Sequence, residues 1–195
     1  FGLRFFIFYS FKFLFSKLDP RNSVINILKK HDIDVITNLN DINSVTSINK
    51  IKSYNPDLLL SILGNQIFKQ KIIDLAPKGC INLHTALLPK YRGLMPTFWV
   101  LKNNEKKTGV SVFYVDKGID SGPIIVQKEI DLNGQSHFEL IKQSKKLGMD
   151  AVLEAVSLIN KNKVKMLKND SNLKTYYGFP KRSDVSEFRK NNKFF

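Results

Sequence analysis

The sequence predicts an α/β fold with three layers, in which helices cover a mostly parallel central sheet. Helical and strand-like hydrophobic patterns alternate along the chain, which is the arrangement typical of parallel sheets. Residues 57–63, DLLLSIL, form a continuous apolar run of the length expected for a strand covered on both faces. Because a strand, a helix and a second strand follow one another up to residue 84, we expect right-handed crossovers between parallel strands.

The individual elements follow from local patterns. Apolar residues near one face predict a helix over residues 20–30, and the segment 31–38, HDIDVITN, is typical of a short strand. Ser136 and Glu139 form a capping-box pattern that predicts the start of a long helix. The buried stripe of this helix is expected to consist of Ile141, Leu147, Val152, Val156 and Ile159. The other predicted elements are helices within 43–57, 64–79 and 95–104, strands over 79–84, 108–116 and 123–131, and an irregular polar tail after residue 170.

The first twenty residues are aromatic and apolar, but they do not predict a membrane span. Arg4, Lys12 and Lys17 interrupt the run before it reaches the roughly 20 apolar residues that a span needs, and no small-residue cleavage site follows, as a signal peptide requires. We expect a core-facing helix or loop here, with a membrane-surface segment as the alternative. The lone Cys80 excludes an intramolecular disulfide and fits a reducing compartment, so the predicted location is the cytoplasm.

The chain is basic, with 31 Lys and Arg against 17 Asp and Glu and a formal net charge of +14. This charge suits an anionic partner such as a nucleotide, a polyglutamylated cofactor or RNA. The lysines are spread along the chain, however, and the abundance of Lys, Asn and Ile indicates a general compositional bias. Charge therefore does not choose among these partners.

The most informative stretch is GCINLHTALLPKYRG, residues 79–93. Because side chains alternate across a strand, Asn82 and His84 project from the same face. Asp116 and Asp120 lie at or just past the end of the strand TGVSVFYV, and ligands of open parallel sheets bind at such strand ends. An amide, an imidazole and a carboxylate together suit acyl transfer to an amine, in which an oxyanion is stabilised and a nitrogen loses a proton. The alternative is that Asn82 and His84 satisfy backbone groups in a tight turn and Asp120 is an ordinary loop residue.

Two segments resemble the 10-formyltetrahydrofolate-dependent formyltransferases, a family that includes methionyl-tRNA, glycinamide-ribonucleotide and nucleotide-sugar formyltransferases. Asn82-Leu83-His84-Thr85-Ala86-Leu87-Leu88-Pro89, with Arg92-Gly93 and Pro96, is similar to the family's Asn-x-His-x-Ser-Leu-Leu-Pro, Arg-Gly, Pro pattern. Thr108-Gly109-Val110, Asp116 and Asp120-Ser121-Gly122-Pro123-Ile124 resemble its second half in the same order, and the 36 positions between His84 and Asp120 fit the family spacing. The resemblance covers residues 57–160 well and implies a Rossmann-like formyltransferase fold.

The resemblance also implies a role for each matched residue. Asn82 would hydrogen-bond the formyl oxygen of the donor, 10-formyltetrahydrofolate, and His84 would stabilise the developing oxyanion as an imidazolium. Asp120 would hold His84 and a bridging water and help to relay the proton of the attacking amine, so that no residue acts as a covalent nucleophile. The residues expected to bind the folate are Gln66, Ile67, Phe68, Val115, Asp116 and Gly118.

No metal is expected, because the three His residues are scattered without ligand spacing, and His31 and His137 are interpreted as solvated or capping residues. The sequence departs from the family pattern in two places. Ala86 stands where the family has Ser, so a hydroxyl contact is lost while the backbone turn is expected to persist. The opening strand and its glycine-bearing turn are not recognisable and the chain begins with Phe1, so we expect an amino-terminal truncation.

Residues 1–165 are interpreted as the formyltransferase catalytic domain and residues 166–195 as a carboxyl-terminal extension packed on it. The family's methionyl-tRNA members carry a further barrel that grips RNA, for which this chain has no room. A small anionic amine, such as one on a nucleotide-linked sugar, is therefore favoured over tRNA as the acceptor. Tyr91 and Arg92 are expected to contact this acceptor, and the equal alternative for Arg92 is that it only braces the turn. The alternative functions are a methionyl-tRNA formyltransferase, a formyltetrahydrofolate hydrolase and a non-catalytic folate-binding remnant. A homodimer is the oligomeric state considered for the chain.

Overall fold

The structure of the protein is a computed structural model that describes residues 7, 10, 11, 23–37, 39–62, 64, 66–191, 193 and 194. The chain divides into two compact units, residues 1–40 and 41–195. In the first unit, helix α1 (Val24–Lys30) begins after Ser23, whose hydroxyl accepts a hydrogen bond from the Asn26 backbone N–H at 3.3 Å. A side-chain oxygen at this position satisfies one of the free N–H groups of the first turn.

The strand predicted over residues 31–38 is not found over residues 31–37, and residue 38 lies outside the described residues. Asp32 adopts the left-handed conformation, with φ at 53°, immediately after α1. Ile33 and Val35 are exposed. Alternation of a few apolar residues is a weak signal, because it becomes a strand only where a neighbouring strand pairs with it. The prediction of a core-facing segment at residues 1–20 falls almost entirely outside the described residues.

The second unit is built on a sheet of four strands, β1 (Leu59–Ile62), β2 (Cys80–His84), β4 (Lys107–Tyr114) and β5 (Ile124–Asp131). The strands are neighbours in the sheet in this order. The α/β fold is confirmed, but the pairing of these strands is mixed rather than mostly parallel. β1 and β2 are parallel, whereas β4 is antiparallel to both β2 and β5. A loop without a helix, residues 115–123, joins β4 to β5 and returns the chain as a hairpin, which makes this pair antiparallel.

Strand β1 also differs from its prediction. Leu60 and Ile62 are 43% and 39% exposed, so the described part of this strand is covered on one face only. The sequence predicted that both faces of this strand would be covered. A run of apolar residues on both faces does not reveal that one face stays exposed.

Helix α5 (His137–Asn160) packs against the sheet, and its amino terminus carries the predicted capping box. The Glu139 N–H donates to Ser136 Oγ at 3.2 Å, and the Ser136 N–H donates to Glu139 Oε2 at 2.8 Å. Val152 and Ile159 of the predicted stripe are buried, whereas Ile141, Leu147 and Val156 are half-buried. The buried line instead runs through small residues, which let the helix approach the sheet closely: Ser144, Gly148, Ala151 and Ala155.

The carboxyl-terminal residues are folded, where the sequence predicted an irregular tail. A short strand β3 (Arg92–Gly93) pairs in parallel with β6 (Tyr176–Tyr177). Val185 and Phe188 of helix α6 (Arg182–Lys190) are buried, and the Phe188 ring stacks on Phe98 with centroids 4.8 Å apart. The other elements of this unit are α2 (Val45–Lys52), α3 (Gln70–Ile73), α4 (Pro96–Lys102) and a 3₁₀-helix over Ser171–Leu173.

Among the helices formed by described residues, none combines the length and the apolar character that a membrane crossing requires. The cytoplasmic location and the domain boundary at residue 165 stay predictions.

Candidate active site

Strand β2 presents Asn82 and His84 on the face of the sheet opposite the one on which Ile81 and Leu83 join the α5 core. Asn82 is half-buried, and His84 is 6% exposed. The Asn82 side chain has no hydrogen-bond partner among the described residues. A half-buried amide without a protein partner is available for a ligand.

His84 and Asp120 lie together, as the resemblance implied. The His84 Nδ1 atom is 3.5 Å from Asp120 Oδ2. The His84 Nε2 atom is 2.7 Å from the backbone oxygen of Tyr91, and because a carbonyl only accepts, Nε2 must carry a hydrogen. Nδ1 can therefore donate to Asp120 only when the ring is a doubly protonated imidazolium.

Asp120 sits in a strained loop that its neighbours hold in place. Its backbone is left-handed, with φ at 47°, which is uncommon for a residue other than glycine. Its Oδ2 atom accepts a hydrogen bond from the Gly93 N–H at 2.8 Å. No described residue hydrogen-bonds to Oδ1. Two residues further on, a side chain on Gly122 would collide with the backbone oxygen of Tyr114, so the loop requires glycine there.

Asp116 has a different use, because its carboxylate shapes the same loop. Asp116 Oδ1 accepts hydrogen bonds from the Gly118 N–H at 3.0 Å and from the Ser121 hydroxyl at 2.5 Å. This is the local side-chain to backbone bonding that short acidic residues form in turns.

Asn43 holds the segment that contains Gln66, Ile67 and Phe68. The Asn43 Nδ2 group donates to the Ile67 backbone oxygen at 3.0 Å, and Asn43 Oδ1 accepts from the Lys69 N–H at 2.7 Å. The Gln66 side chain accepts from the Ile42 N–H at 2.8 Å. The sequence analysis did not identify Asn43, since its two contacts lie 24 and 26 positions away.

These elements enclose a cavity of about 350 Å³. Its two walls are the segments 66–68 and 115–118, which the resemblance predicts to bind folate. Asn82 and Asp120 also line the cavity. His84 contacts Asp120 but does not line the cavity. All six residues expected to bind folate are at the cavity: Gln66, Ile67, Phe68, Val115, Asp116 and Gly118. The charged side chains among the described lining residues are Asp116 and Asp120.

The turn at Ala86 keeps its shape without a hydroxyl at that position. The Ser111 hydroxyl donates to the Ala86 backbone oxygen at 2.7 Å and accepts from the Leu88 N–H at 3.0 Å. The Gln127 side-chain amide donates to the Leu88 oxygen at 2.8 Å. The bonds that hold this turn therefore come from β4 and β5, and the expectation that the turn persists is confirmed.

Tyr91 and Arg92, which the sequence analysis expects to contact an acceptor, have partners within the protein. The Tyr91 side chain is buried, and its hydroxyl donates to Glu105 Oε1 at 2.7 Å. Burial, reinforced by this hydrogen bond, raises the pKa of the Tyr91 hydroxyl. Arg92 is 4% exposed and donates from Nη2 to Asn169 Oδ1 at 2.7 Å. Neither residue lines the cavity, and the partner of the Arg92 side chain is Asn169 rather than the turn, so acceptor contact and bracing of the turn both stay predictions.

Two other predictions about single residues have different outcomes. His31 is exposed at the carboxyl-terminal end of α1, as expected. His137 is 4% exposed, and its Nε2 atom lies 3.0 Å from the Thr97 hydroxyl, so the interpretation of a solvated residue is wrong. His137 is the first residue of α5, and its burial depends on Thr97, Phe98 and Phe188 of other helices. The local sequence does not show these contacts.

Cys80 is buried, and burial raises the pKa of its thiol to about 11.

Further residues at the site were not assigned to it by the sequence analysis. Gly93, Leu94 and Tyr176 line the cavity, and Asn169 donates to the backbone oxygen of Asp120 at 2.9 Å. Asn169 and Tyr176 follow the long helix, in a segment without any motif. The bridge between Ile124 and Leu167 brings Asn169 to the site, and the pairing of β3 with β6 brings Tyr176 there.

The fold and this site define an α/β protein with an Asn-His-Asp group beside a cavity of about 350 Å³, and comparison identifies the family. The family model described as formyl transferase matches residues 24–156. The match extends over more than half of the chain. The chain therefore belongs to the formyl transferase family.

Individual relatives agree with this assignment. The chain is 35% identical over 127 residues to the methionyl-tRNA formyltransferase of Kosmotoga olearia, covering 65% of this chain and 41% of that protein. It is 33% identical over 162 residues to the methionyl-tRNA formyltransferase of Geobacter sulfurreducens, covering 81% of this chain and 50% of that protein. The chain thus spans half or less of the length of these relatives.

The fold is also similar to that of a solved formyltransferase. PseJ from Anoxybacillus kamchatkensis, in complex with UDP-4,6-dideoxy-4-formamido-L-AltNAc and tetrahydrofolate, superposes with a TM-score of 0.65 at 22% identity. The superposition covers 84% of this chain and 82% of that chain. At this identity the likeness concerns the fold.

Proposed function

We propose that this chain transfers a formyl group from 10-formyltetrahydrofolate to a primary amine. The observation that carries the proposal is that two polar groups without a partner among the described residues, the Asn82 amide and Asp120 Oδ1, belong to residues lining one cavity. Acyl transfer needs a donor for the developing oxyanion and an acceptor for the amine proton. The membership of the chain in the formyl transferase family supports the same chemistry.

In the proposed reaction, the amine nitrogen attacks the formyl carbon, and the bond from that carbon to N10 of the folate breaks. The Asn82 Nδ2 group donates to the formyl oxygen while negative charge develops there. Asp120 Oδ1 takes a proton from the attacking amine, and N10 of the folate gains one in return, so the proton count balances. When its ring carries both protons, His84 can donate to the Tyr91 oxygen and to Asp120 and places a positive charge near the oxyanion.

The folate is proposed to lie between the wall held by Asn43 and the loop shaped by Asp116. Backbone groups of both walls are available to a planar ring with donors and acceptors at its edge. Support comes from the solved PseJ structure, which is named as a complex with tetrahydrofolate. No covalent intermediate is invoked, because the buried Cys80 with its raised pKa does not offer a thiolate.

The amine of initiator methionyl-tRNA is the acceptor we propose first. The relatives described above that match at 33% and 35% identity are both methionyl-tRNA formyltransferases. The sequence-based preference for a smaller acceptor depended on the length of the chain. The chain spans 41% and 50% of these relatives, so its length does not bear on the acceptor.

The amine of a nucleotide-linked sugar is the second candidate. The observation in its favour is that the chain covers 82% of PseJ, whose complex contains a formamido sugar nucleotide. The exposed Tyr176 ring at the cavity is a surface on which a nucleobase or a terminal adenosine could stack.

The test is an assay of tetrahydrofolate release by the full chain. The protein is incubated with 10-formyltetrahydrofolate and, separately, with initiator methionyl-tRNA, a nucleotide-linked amino sugar, glycinamide ribonucleotide or no acceptor. We expect release that depends on one acceptor, and a fall of about 10²–10³-fold in kcat for Asn82→Ala, as for the loss of an oxyanion donor. Asp120→Asn should be similarly impaired, whereas Asn172→Ala, a change of an exposed asparagine, should behave as the unmodified chain.

Two results would contradict the proposal. Release without any acceptor would identify a hydrolase of the formyl donor. Binding of 10-formyltetrahydrofolate without release under any condition would identify a folate-binding protein without turnover.

A further inference from the structure

Asn169 makes a set of contacts that converge on the Asp120 loop. It lies between α5 and the 3₁₀-helix, 49 positions after Asp120, and is 9% exposed. Its Nδ2 group donates to the backbone oxygens of Asp120 and Gly122, both at 2.9 Å. One side chain thus uses both of its amide hydrogens on the loop that carries Asp120.

Arg92 determines which way the Asn169 amide points. The buried Arg92 guanidinium can only donate, and its Nη2 atom is 2.7 Å from Asn169 Oδ1 and 3.4 Å from the Asn169 backbone oxygen. The side-chain oxygen of Asn169 must therefore face Arg92, which leaves the NH₂ group facing the two carbonyls. This assignment follows from the chemistry of the partners rather than from the similar shapes of oxygen and nitrogen.

The loop needs such a support because its backbone is strained at the reacting residue. Asp120 has a φ of 47°, and a non-glycine residue in the left-handed region persists only when its surroundings hold it. The Gly93 N–H bonded to Asp120 Oδ2 holds the side chain, and Asn169 holds the main chain. β3 links the two supports, since Arg92, the residue before Gly93, donates from Nη2 to Asn169 Oδ1 at 2.7 Å.

We propose that Asn169 is a positioning residue for Asp120, so that the segment after α5 belongs to the active site although the family match ends at residue 156. The inference rests on the proposed function for its catalytic consequence. Its structural content is independent of turnover: without the two Asn169 hydrogen bonds, the Asp120 carboxylate leaves the Gly93 N–H and the cavity.

The Gly93 amide reports the position of the Asp120 carboxylate directly. Hydrogen exchange at Gly93 is measured in the unmodified chain, in Asn169→Ala and in Asn169→Asp, and Asp120→Ala gives the rate without a carboxylate. The Leu94 amide, which donates to the Tyr177 oxygen at 2.8 Å, is the internal control for the β3 and β6 pairing. Asn172→Ala is the matched control, because Asn172 is exposed in the same segment.

Asn169→Asp is included in case Asn169→Ala does not fold. An aspartate keeps the acceptor for Arg92 and gains charge complementarity with it, but it cannot donate to the two carbonyls. In both Asn169 variants we expect the Gly93 amide to exchange roughly tenfold faster or more, with Leu94 close to its original rate. We also expect kcat to fall about tenfold or more while the KM for 10-formyltetrahydrofolate stays within about threefold, because the hydrogen bonds of Asp116 with Gly118 and Ser121 still hold the folate side of the loop.

The proposal is overturned if Gly93 exchange in Asn169→Asp stays at the rate of the unmodified chain, or if kcat and KM change together by equal factors. An unmodified chain that does not turn over with any acceptor would contradict the proposed function. In that case the Gly93 amide still decides whether Asn169 positions Asp120.

Discussion

The buried His137 makes the stability of the protein depend on pH. This residue opens α5, is 4% exposed, and is surrounded by the Thr97 hydroxyl and by the rings of Phe98 and Phe188, whose centroids lie 6.1 and 6.4 Å away. Burial lowers the pKa of His137 from 6.5 to about 4, because a charged ring would lose its hydration. The position at a helix amino terminus also disfavours a cation.

The sign of the effect follows from which state binds the proton. Above pH 6.5, His137 is neutral in the folded and in the unfolded chain, so it contributes no pH dependence. Between pH 6.5 and about 4, the unfolded chain takes up a proton that the folded chain does not, and the free energy of unfolding falls by about 1.4 kcal/mol per pH unit. Below pH 4 the full difference, about 3 kcal/mol, has been lost.

The assay is urea denaturation followed by circular dichroism at pH 7.5 and pH 5.0, for the unmodified chain and for His137→Gln. Glutamine is polar but does not titrate, and every other titratable group is shared by the two proteins. On going from pH 7.5 to pH 5.0 we expect the unmodified chain to lose about 2 kcal/mol more stability than His137→Gln. If the two proteins lose the same amount, His137 is not buried as a neutral ring and the reasoning is wrong.

Three further changes test the turn, the loop and the cavity mouth. Ser111→Ala removes the hydroxyl that bonds the buried Ala86 oxygen, and we expect a loss of about 1–3 kcal/mol in the free energy of unfolding, measured by urea denaturation; an unchanged midpoint would contradict the described turn. Gly122→Ala places a methyl group against the Tyr114 oxygen, so we expect the thermal midpoint to fall. Gly134→Ala is the control, because its glycine has open space around it but a positive φ; we expect only the smaller fall that backbone strain causes. Tyr176→Ala removes an exposed ring from the cavity, and we expect a KM for the acceptor raised about tenfold with binding of 10-formyltetrahydrofolate unchanged; an equal loss of both would place the ring on the folate side.

Much of the local structure was predictable, because it depends on residues that are neighbours in sequence. The capping box of Ser136 and Glu139 requires only three residues of spacing and formed as predicted. The common face of Asn82 and His84 follows from strand alternation alone. The six expected folate residues, taken from the family resemblance, lie at one cavity.

Other features depended on contacts between distant segments, which no local pattern encodes. The antiparallel pairing of β4 became clear only when the sheet order was known. His137 was interpreted as a solvated or capping residue, yet packing leaves it only 4% exposed.

By itself, the sequence determined the α/β class, the strand that carries Asn82 and His84, and the family motif that includes Asp120. Only the tertiary structure decided that Arg92 donates to Asn169 and that Asn169 donates to the Asp120 backbone from 49 positions away. The physical reason is that a hydrogen bond or a buried contact depends on distance in space. Alternation and capping repeat at fixed sequence intervals, whereas the partner of a buried polar group is known only once the chain has folded.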